Sequence, residues 1–411
     1  MELFPLISLL IVLSASFAYI NFRYLKLPNA IGLMLVSLLF SLGIIGANFI
    51  FPSLKENVTL LLSGINFSEL LLEVMLSFML FAGAIHIKFK DLKAEKLSIL
   101  LFSTISVVIS TFMVGYICYW MLTLFNLEVS LVQCLLFGAL ISPTDPIAVL
   151  SILKTAGVSK SLETKIAGES LFNDGVAVVV FITILQIAKP NADVSFVSIL
   201  TVFGQEAIGG IILGAIVGWL GYKFIASINN YNVEVLITLA IVMGGYSLAH
   251  YTHVSGPLAM VIAGLITGNQ AKTLGMSDIT TEYVDKFWEL ADEIFNALLF
   301  VLIGLELLVI NTDRKIVFIG TILIFIILAA RYISVFIPSY FIRKKEELNQ
   351  KTILILTWGG LRGGISIALA LSIPTELGKD IWVTITYVIV CFSILVQGMT
   401  IGKFVTSLKK R

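Results

Sequence analysis

Three carboxylates and one amide lie within apolar stretches of this sequence, where an ionisable side chain is costly. Asp174 follows Asn173 in SLFNDGVAVVV, Glu169 lies one helical turn before Asn173, and Asp145 lies in SPTDPIAVL. An ionisable group at membrane depth marks a functional site by default, because something must offset its desolvation. Asp174 is the strongest candidate, since about twelve residues, or ~18 Å of helix, separate it from the predicted start of its span.

The neighbouring oxygen atoms predict a binding site for a small monovalent cation. Hard oxygen ligands suit Na⁺, Li⁺ or K⁺, and nothing in this set favours a transition metal. The predicted Na⁺ ligands are Asp174, Asp145, Thr144 and Ser170, with Asn173 beside them. Because a bare carboxylate cannot pass apolar walls cheaply, a proton and a cation would take turns in neutralising Asp174. No resident cofactor is expected.

Other charged side chains also fall inside or at the edges of apolar stretches. Arg331, in LAARYISVF, is the predicted partner of Glu169 in a structural ion pair. Arg362, in WGGLRGGISIAL, is predicted to compensate charge where its helix is broken. Glu306 is expected to reach the polar surface or a dimer partner. His86, at the edge of a span, is interpreted as a bystander.

The composition is that of an all-α integral membrane protein. The 411 residues are 58% hydrophobic and only 13% charged, and the mean hydropathy is +1.02. A soluble domain could not bury so much apolar surface, and a net charge of +1 gives no reason to expect a nucleic acid partner. Segments of roughly 17 to 25 apolar residues can span a bilayer. Thirteen are predicted in one transporter domain, residues 1–411, near 2–21, 28–50, 69–87, 97–124, 129–152, 162–188, 198–225, 233–250, 256–270, 287–310, 315–341, 351–373 and 381–405.

The lysines and arginines predict the orientation of these spans. Of the 27 basic residues, twenty fall on one face, five fall on the other, and Arg331 and Arg362 lie within spans. Basic residues in short loops favour the cytoplasmic side. The chain is therefore predicted to cross the cytoplasmic membrane with its N-terminus outside and its C-terminus inside.

Two of the predicted spans cannot be continuous helices. In the fifth span, Pro143 and Pro146 lack backbone N–H groups, which frees the carbonyls of Ala139 and Ser142 as further cation ligands. In the twelfth span, four glycines surround Arg362 and permit extended backbone. Interrupted helices at matching places in two halves are typical of transporters built from inverted repeats. Spans one to six and eight to thirteen are the predicted repeats.

The motifs SPTDP, GESLFNDGVAVVVF, LAARYISVF and WGGLRGGISIAL resemble those of the sodium/proton antiporters of the monovalent cation/proton antiporter superfamily. The resemblance is to the NhaP-type prokaryotic branch, which is related to the animal exchangers, and it covers essentially the whole chain. It implies a homodimer in which residues 97–188 and 315–405 form a moving core, and residues 2–87 and 198–310 form a scaffold. It also implies an ion site around Asp174.

The function expected from these features is alternating exchange of a cation, Na⁺ first, for H⁺, in the service of pH and sodium homeostasis. Because Asn173 cannot titrate, one-for-one electroneutral exchange is predicted. The chain is not expected to be an enzyme. Two alternatives remain open at this point, namely an intramembrane aspartyl protease with Asp145 and Asp174 as a dyad, and a cation channel.

Overall fold

The computed structural model describes residues 3–48, 50–51, 53, 58–59, 67–189, 195–310, 313–346 and 348–410. These residues are almost entirely helical, and a single two-residue bridge is the only β-type pairing among them. The first half of the chain contains α1 (Leu3–Ile20), α2 (Asn29–Ala47), α3 (Phe67–Ile85), α4 (Lys96–Leu124), α5a (Leu131–Ile141), α5b (Ile147–Thr155) and α6 (Lys160–Ile187). The second half contains α7 (Phe196–Ile225), α8 (Tyr231–Tyr251), α9 (Gly256–Ile266), α10 (Asp278–Glu306), α11 (Arg314–Glu346), α12a (Gln350–Trp358), α12b (Gly364–Leu371) and α13 (Lys379–Leu408).

Each predicted span coincides with a helix or with a pair of half-helices, so the all-helical fold is confirmed. Nine helices of the described residues are long and apolar enough to cross a membrane. The remaining four are the interrupted α5 and α12, the short α9, and α10, which carries several acidic residues. The number of thirteen crossings and the inverted repeat therefore stay predictions. Lys55, one of the basic residues used to assign the outer face, lies outside the described residues.

Both predicted interruptions are present, at the prolines and at the glycines that predict them. The fifth helix stops at Ile141 and resumes at Ile147, and the twelfth stops at Trp358 and resumes at Gly364. The two unwound segments meet, because the backbone N–H of Asp145 donates to the carbonyl of Leu361 at 2.8 Å. Unwound backbone at this depth is tolerated where protein groups satisfy it, and here each segment partly satisfies the other.

The helices pack in two groups. In the first, α4 packs against α5a and α11, and α6 packs against α4 and α5a. The Ser106 hydroxyl on α4 donates to the Ser334 carbonyl on α11 at 2.5 Å. In the second, α2 packs against α10, and α9 packs against α3 and α7. Hydroxyls of Ser37 and Ser41 on α2 donate to carbonyls of α10 at 2.9 and 2.8 Å. That the two groups move relative to each other stays a prediction.

Small residues set the distance between α7 and α9. Gly210, Gly214 and Gly218 are buried along one side of α7 and face the backbone of α9. A β-carbon on Gly214 would overlap the backbone of Ala259. Close approach of this kind is the usual way in which membrane helices gain van der Waals contact.

We therefore expect Gly214→Ala to lower the melting temperature of the detergent-solubilised protein. The added methyl group must push α7 from α9, and overpacking of this kind costs about 1–3 kcal/mol. Gly204→Ala, on the same helix, is the matched control, because a β-carbon there meets nothing within 4 Å. Alanine is also the better helix former, so Gly204→Ala should melt no lower than the wild type. Equal melting temperatures for the two variants would contradict this account of the contact.

Candidate functional site

The crossing of the unwound segments is held by Arg362. Its backbone N–H donates to the hydroxyl of Ser393 at 2.8 Å. Its Nη1 donates to the carbonyls of Ser142 and Pro143 at 2.6 and 2.9 Å. The carbonyl of Ala139 accepts the backbone N–H of Ser142 at 3.3 Å. The two carbonyls that the prolines free therefore accept hydrogen bonds from the protein, and their role as cation ligands stays a prediction.

Three of the predicted polar residues join α6 to the first unwound segment. The Asn173 amide donates to the Thr144 hydroxyl at 2.8 Å, and its Oδ1 accepts from the Thr144 backbone N–H at 3.5 Å. The Ser170 hydroxyl donates to the Thr144 carbonyl and lies 3.4 Å from the Thr144 hydroxyl. All three residues are buried. They fix the conformation of the segment that precedes Asp145.

The two predicted aspartates line a cavity of about 900 Å³. Asp174 is buried and Asp145 is partly buried. Thr144 also lines this cavity, whereas Ser170 and Asn173 are not among its lining residues. The structure thus brings Asp174, Asp145 and Thr144 to one surface. It places Ser170 and Asn173 one layer behind them, so their role as direct ligands stays a prediction.

Asp145 also lies against the start of α12b. A β-carbon on Gly363, the residue that precedes α12b, would overlap the carboxylate of Asp145. The first N–H groups of a helix lack intrahelical partners and favour a negative charge. Only glycine leaves room for the carboxylate at this place. The second glycine-rich segment is therefore shaped around the aspartate of the first.

The cavity opens among basic residues of the predicted cytoplasmic face. Lys88, Lys154 and Lys160 lie on its wall together with Asp91 and Glu163. Two of these residues form an ion pair, Lys160 Nζ to Asp91 Oδ2, at 3.0 Å. The site is thus accessible from the side to which the basic residues assign the cytoplasm.

The sequence analysis missed three acidic residues on this wall, all on α10. Asp285, Glu289 and Asp292 line the cavity, and their spacing of four and three residues places them on one helix face. That spacing was the available signal. His86, which the sequence analysis interprets as a bystander, lines the same cavity. Its Nδ1 atom lies 3.3 Å from Asp285 Oδ1. Lys272 is also paired with Asp285, so the cavity wall contains an organised set of charges.

The structure pairs Glu169 with Arg331. Glu169 Oε1 lies 2.5 Å from Arg331 Nη2, and the two residues are 1% and 4% exposed. Arg331 Nη2 also donates to the carbonyl of Leu356 on α12a at 3.4 Å. The pair therefore connects α6, α11 and α12a directly behind the unwound segments.

The fold and this site define a secondary transporter, in which two interrupted helices cross beside buried carboxylates. The model of the family described as sodium/hydrogen exchanger, transmembrane, matches residues 12–407. The chain belongs to this family.

Individual relatives match along nearly their whole length. The chain is 46% identical to the Na(+)/H(+) antiporter NhaP of Pseudomonas aeruginosa over 97% of this chain and 96% of the relative. It is 32% identical to the Na(+)/H(+) antiporter NhaH of Halobacillus dabanensis over 99% of this chain and 98% of that relative. The structure of the sodium proton antiporter MjNhaP1 from Methanocaldococcus jannaschii superimposes with a TM-score of 0.76 at 21% identity, covering 100% of both chains. This last likeness shows the fold.

The buried pair generates a prediction about stability. Removing one partner of a buried ion pair leaves an uncompensated charge and costs about 3–5 kcal/mol, whereas removing both is milder. We expect Glu169→Ala and Arg331→Ala each to melt at a lower temperature in detergent than the double variant. An Arg331→Ala variant that melts like the wild type would show that the pair contributes nothing to the fold.

Proposed function

We propose that this chain exchanges Na⁺ for H⁺ across the cytoplasmic membrane, with Asp174 as the group that both ions neutralise. The observation that carries the proposal is the buried carboxylate of Asp174 on the wall of a cavity, beside two crossed half-helices. The printed names of the two bacterial relatives describe the same exchange. They disfavour a protease or a channel, and they favour a transporter that is not an enzyme.

The proposed mechanism is competition at one carboxylate. From the cavity, a cation meets Asp174, Asp145 and Thr144, all oxygen ligands that suit Na⁺. Behind them, Ser170 and Asn173 keep Thr144 in place and are proposed to complete the coordination when the ion is bound. With neither a cation nor a proton bound, the Asp174 carboxylate is a bare charge that cannot cross the apolar barrier cheaply. Movement is therefore restricted to the two neutralised states, and exchange follows.

The other charges of the site are proposed to stay constant through the cycle. The N-terminus of α12b favours an ionised Asp145, and Arg362 lies on the same crossing. Glu169 is held as a carboxylate by Arg331. Asn173 is an amide and cannot exchange a proton. Only Asp174 remains to alternate between Na⁺ and H⁺, so one cation is exchanged for one proton and no net charge moves.

The moving body is proposed to consist of α4 to α6 and α11 to α13, and the other helices form a scaffold. The mutual packing within each group supports this division. The cavity, which opens at the basic face, then corresponds to the inward-facing state. A homodimer held in membrane lipid is proposed as the working unit, with its N-terminus outside and its C-terminus in the cytoplasm.

Asp174→Asn tests the assignment of the site. The change removes the titratable group and keeps its shape, so Na⁺-driven proton movement in proteoliposomes should fall to background while folding and dimer formation persist. Asp380→Asn is the matched control, because Asp380 is exposed in the first turn of α13 and does not line the cavity. Sodium-dependent proton release from Asp174→Asn at the wild-type rate would contradict the assignment of Asp174 as the group that both ions neutralise.

The constant charges predict electroneutral exchange. In sealed proteoliposomes with a membrane potential imposed by potassium and valinomycin, the Na⁺/H⁺ equilibrium position should be the same at every potential. The fluorescence of a pH-sensitive dye inside the vesicles reports both the exchange rate and the equilibrium position. An equilibrium that shifts with the potential would mean that a second proton is carried, and Asp145 would then be a titrating group.

A further inference from the structure

Glu306, at the far end of α10, is a buried carboxylate that the site described above does not use. It is 4% exposed within a single chain, so the expectation that it reaches the polar surface or a dimer partner is corrected. Among the described residues, its Oε2 atom has no hydrogen-bond partner. It terminates α10, and a helix C-terminus disfavours a negative charge. Burial and position both make this carboxylate costly, which is the mark of a functional group in a membrane protein.

Glu306 lies on the face of α10 that borders the cavity. Asp292, Leu299 and Glu306 follow one another at intervals of seven residues along a continuous helix. Seven residues make two turns to within about 20°, so the three side chains form one row, each ~10 Å beyond the last. Asp292 and Leu299 line the cavity and Glu306 does not. The row therefore continues beyond the residues that line the cavity.

Leu299, on the wall of the cavity, packs against the start of α12b. It is 4% exposed, and a β-carbon on Gly364, the first residue of α12b, would overlap its side chain. Beyond this contact, Glu306 interacts electrostatically with Lys379, at the start of α13 on the predicted outer side. Glu306 thus lies two turns beyond Leu299, at the end of α10 on the predicted outer side.

We infer that Glu306 is a transient cation-binding group on the outer side of this transporter. It binds Na⁺ as the ion passes between Asp174 and the outer solution. When the contact between Leu299 and Gly364 opens toward the outside, Glu306 becomes the first acidic side chain of the outer cavity. It then attracts Na⁺ on that side, as Asp292 on the wall of the present cavity attracts it on the inner side. The inference rests on the proposed exchange by alternating access. It adds a second cation-binding group that belongs to one face of the membrane only.

The experiment measures the Na⁺ concentration for half-maximal exchange from each face, in oriented vesicles with equal pH on both sides. Glu306→Gln should raise the outer value about ten-fold or more, the effect of losing one charged contact, and leave the inner value unchanged. Asp292→Asn is the reciprocal control and should raise the inner value alone. Glu306→Asp keeps the charge and should restore most of the outer affinity. An unchanged outer value in Glu306→Gln, or an equal rise on both faces, overturns the inference.

If Glu306→Gln fails to reach the membrane, chemical labelling of the wild-type protein tests whether Na⁺ binds at Glu306. Dicyclohexylcarbodiimide modifies buried protonated carboxyl groups, and mass spectrometry of the peptide that contains Glu306 reports its modification. Na⁺ should reduce this modification in a concentration-dependent way, while choline should not. Modification that is insensitive to Na⁺ overturns the inference. Wild-type vesicles that exchange no Na⁺ from either face would instead contradict the proposed function itself.

Discussion

The site depends on the hydrogen bonds that join the two unwound segments. Each segment exposes backbone groups at membrane depth, where water cannot satisfy them cheaply. The backbone N–H of Asp145 donates to the Leu361 carbonyl, and the carbonyls of Ser142 and Pro143 accept hydrogen bonds from the guanidinium of Arg362. Neither helix could be interrupted alone, because each interruption supplies partners for the other. The residues that face the cavity, Asp145 above all, are held in place by this mutual arrangement.

In the proposed mechanism, the same arrangement distributes charge so that one carboxylate is left to change state. Arg362 donates hydrogen bonds to backbone carbonyls, and Arg331 forms an ion pair with Glu169. Asp145 lies against Gly363 at the N-terminus of α12b, where a negative charge is favoured. Asp174 has no comparable positive group assigned to it by the described contacts. A cation or a proton from the cavity is the natural complement of that carboxylate.

Much of this could be predicted from local sequence. Two prolines three residues apart, at 143 and 146, and four glycines around Arg362 strongly disfavour a continuous helix, so both interruptions were predictable. The depth of Asp174 followed from counting residues along a helix. The destination of the freed carbonyls could not be predicted in this way, because Arg362 lies 220 positions from Ser142 along the chain. Tertiary contact alone decides whether a free carbonyl meets an ion or a guanidinium.

The acidic face of α10 failed to be recognised for a different reason. Asp285 lies just before the span predicted at 287–310, and Glu289 and Asp292 fall in its first turns, where charged residues are commonly solvated. Their spacing was visible, but the sequence does not say that this face borders a cavity. The structure supplies that fact, and it shows that organised charge extends well beyond the motifs that carry the family resemblance.

The boundary between the two helix groups explains why neutralisation matters. Gly175, next to Asp174, faces Leu258 of α9, and Gly364 faces Leu299 of α10. Small residues on one side and leucines on the other make a tight apolar contact that leaves little room for water. A bare carboxylate beside such a contact would lose its hydration without compensation. In the proposed exchange, these leucines therefore favour a neutralised Asp174. Coupling between the two proposed fluxes is in this sense a property of the apolar wall as much as of the carboxylate.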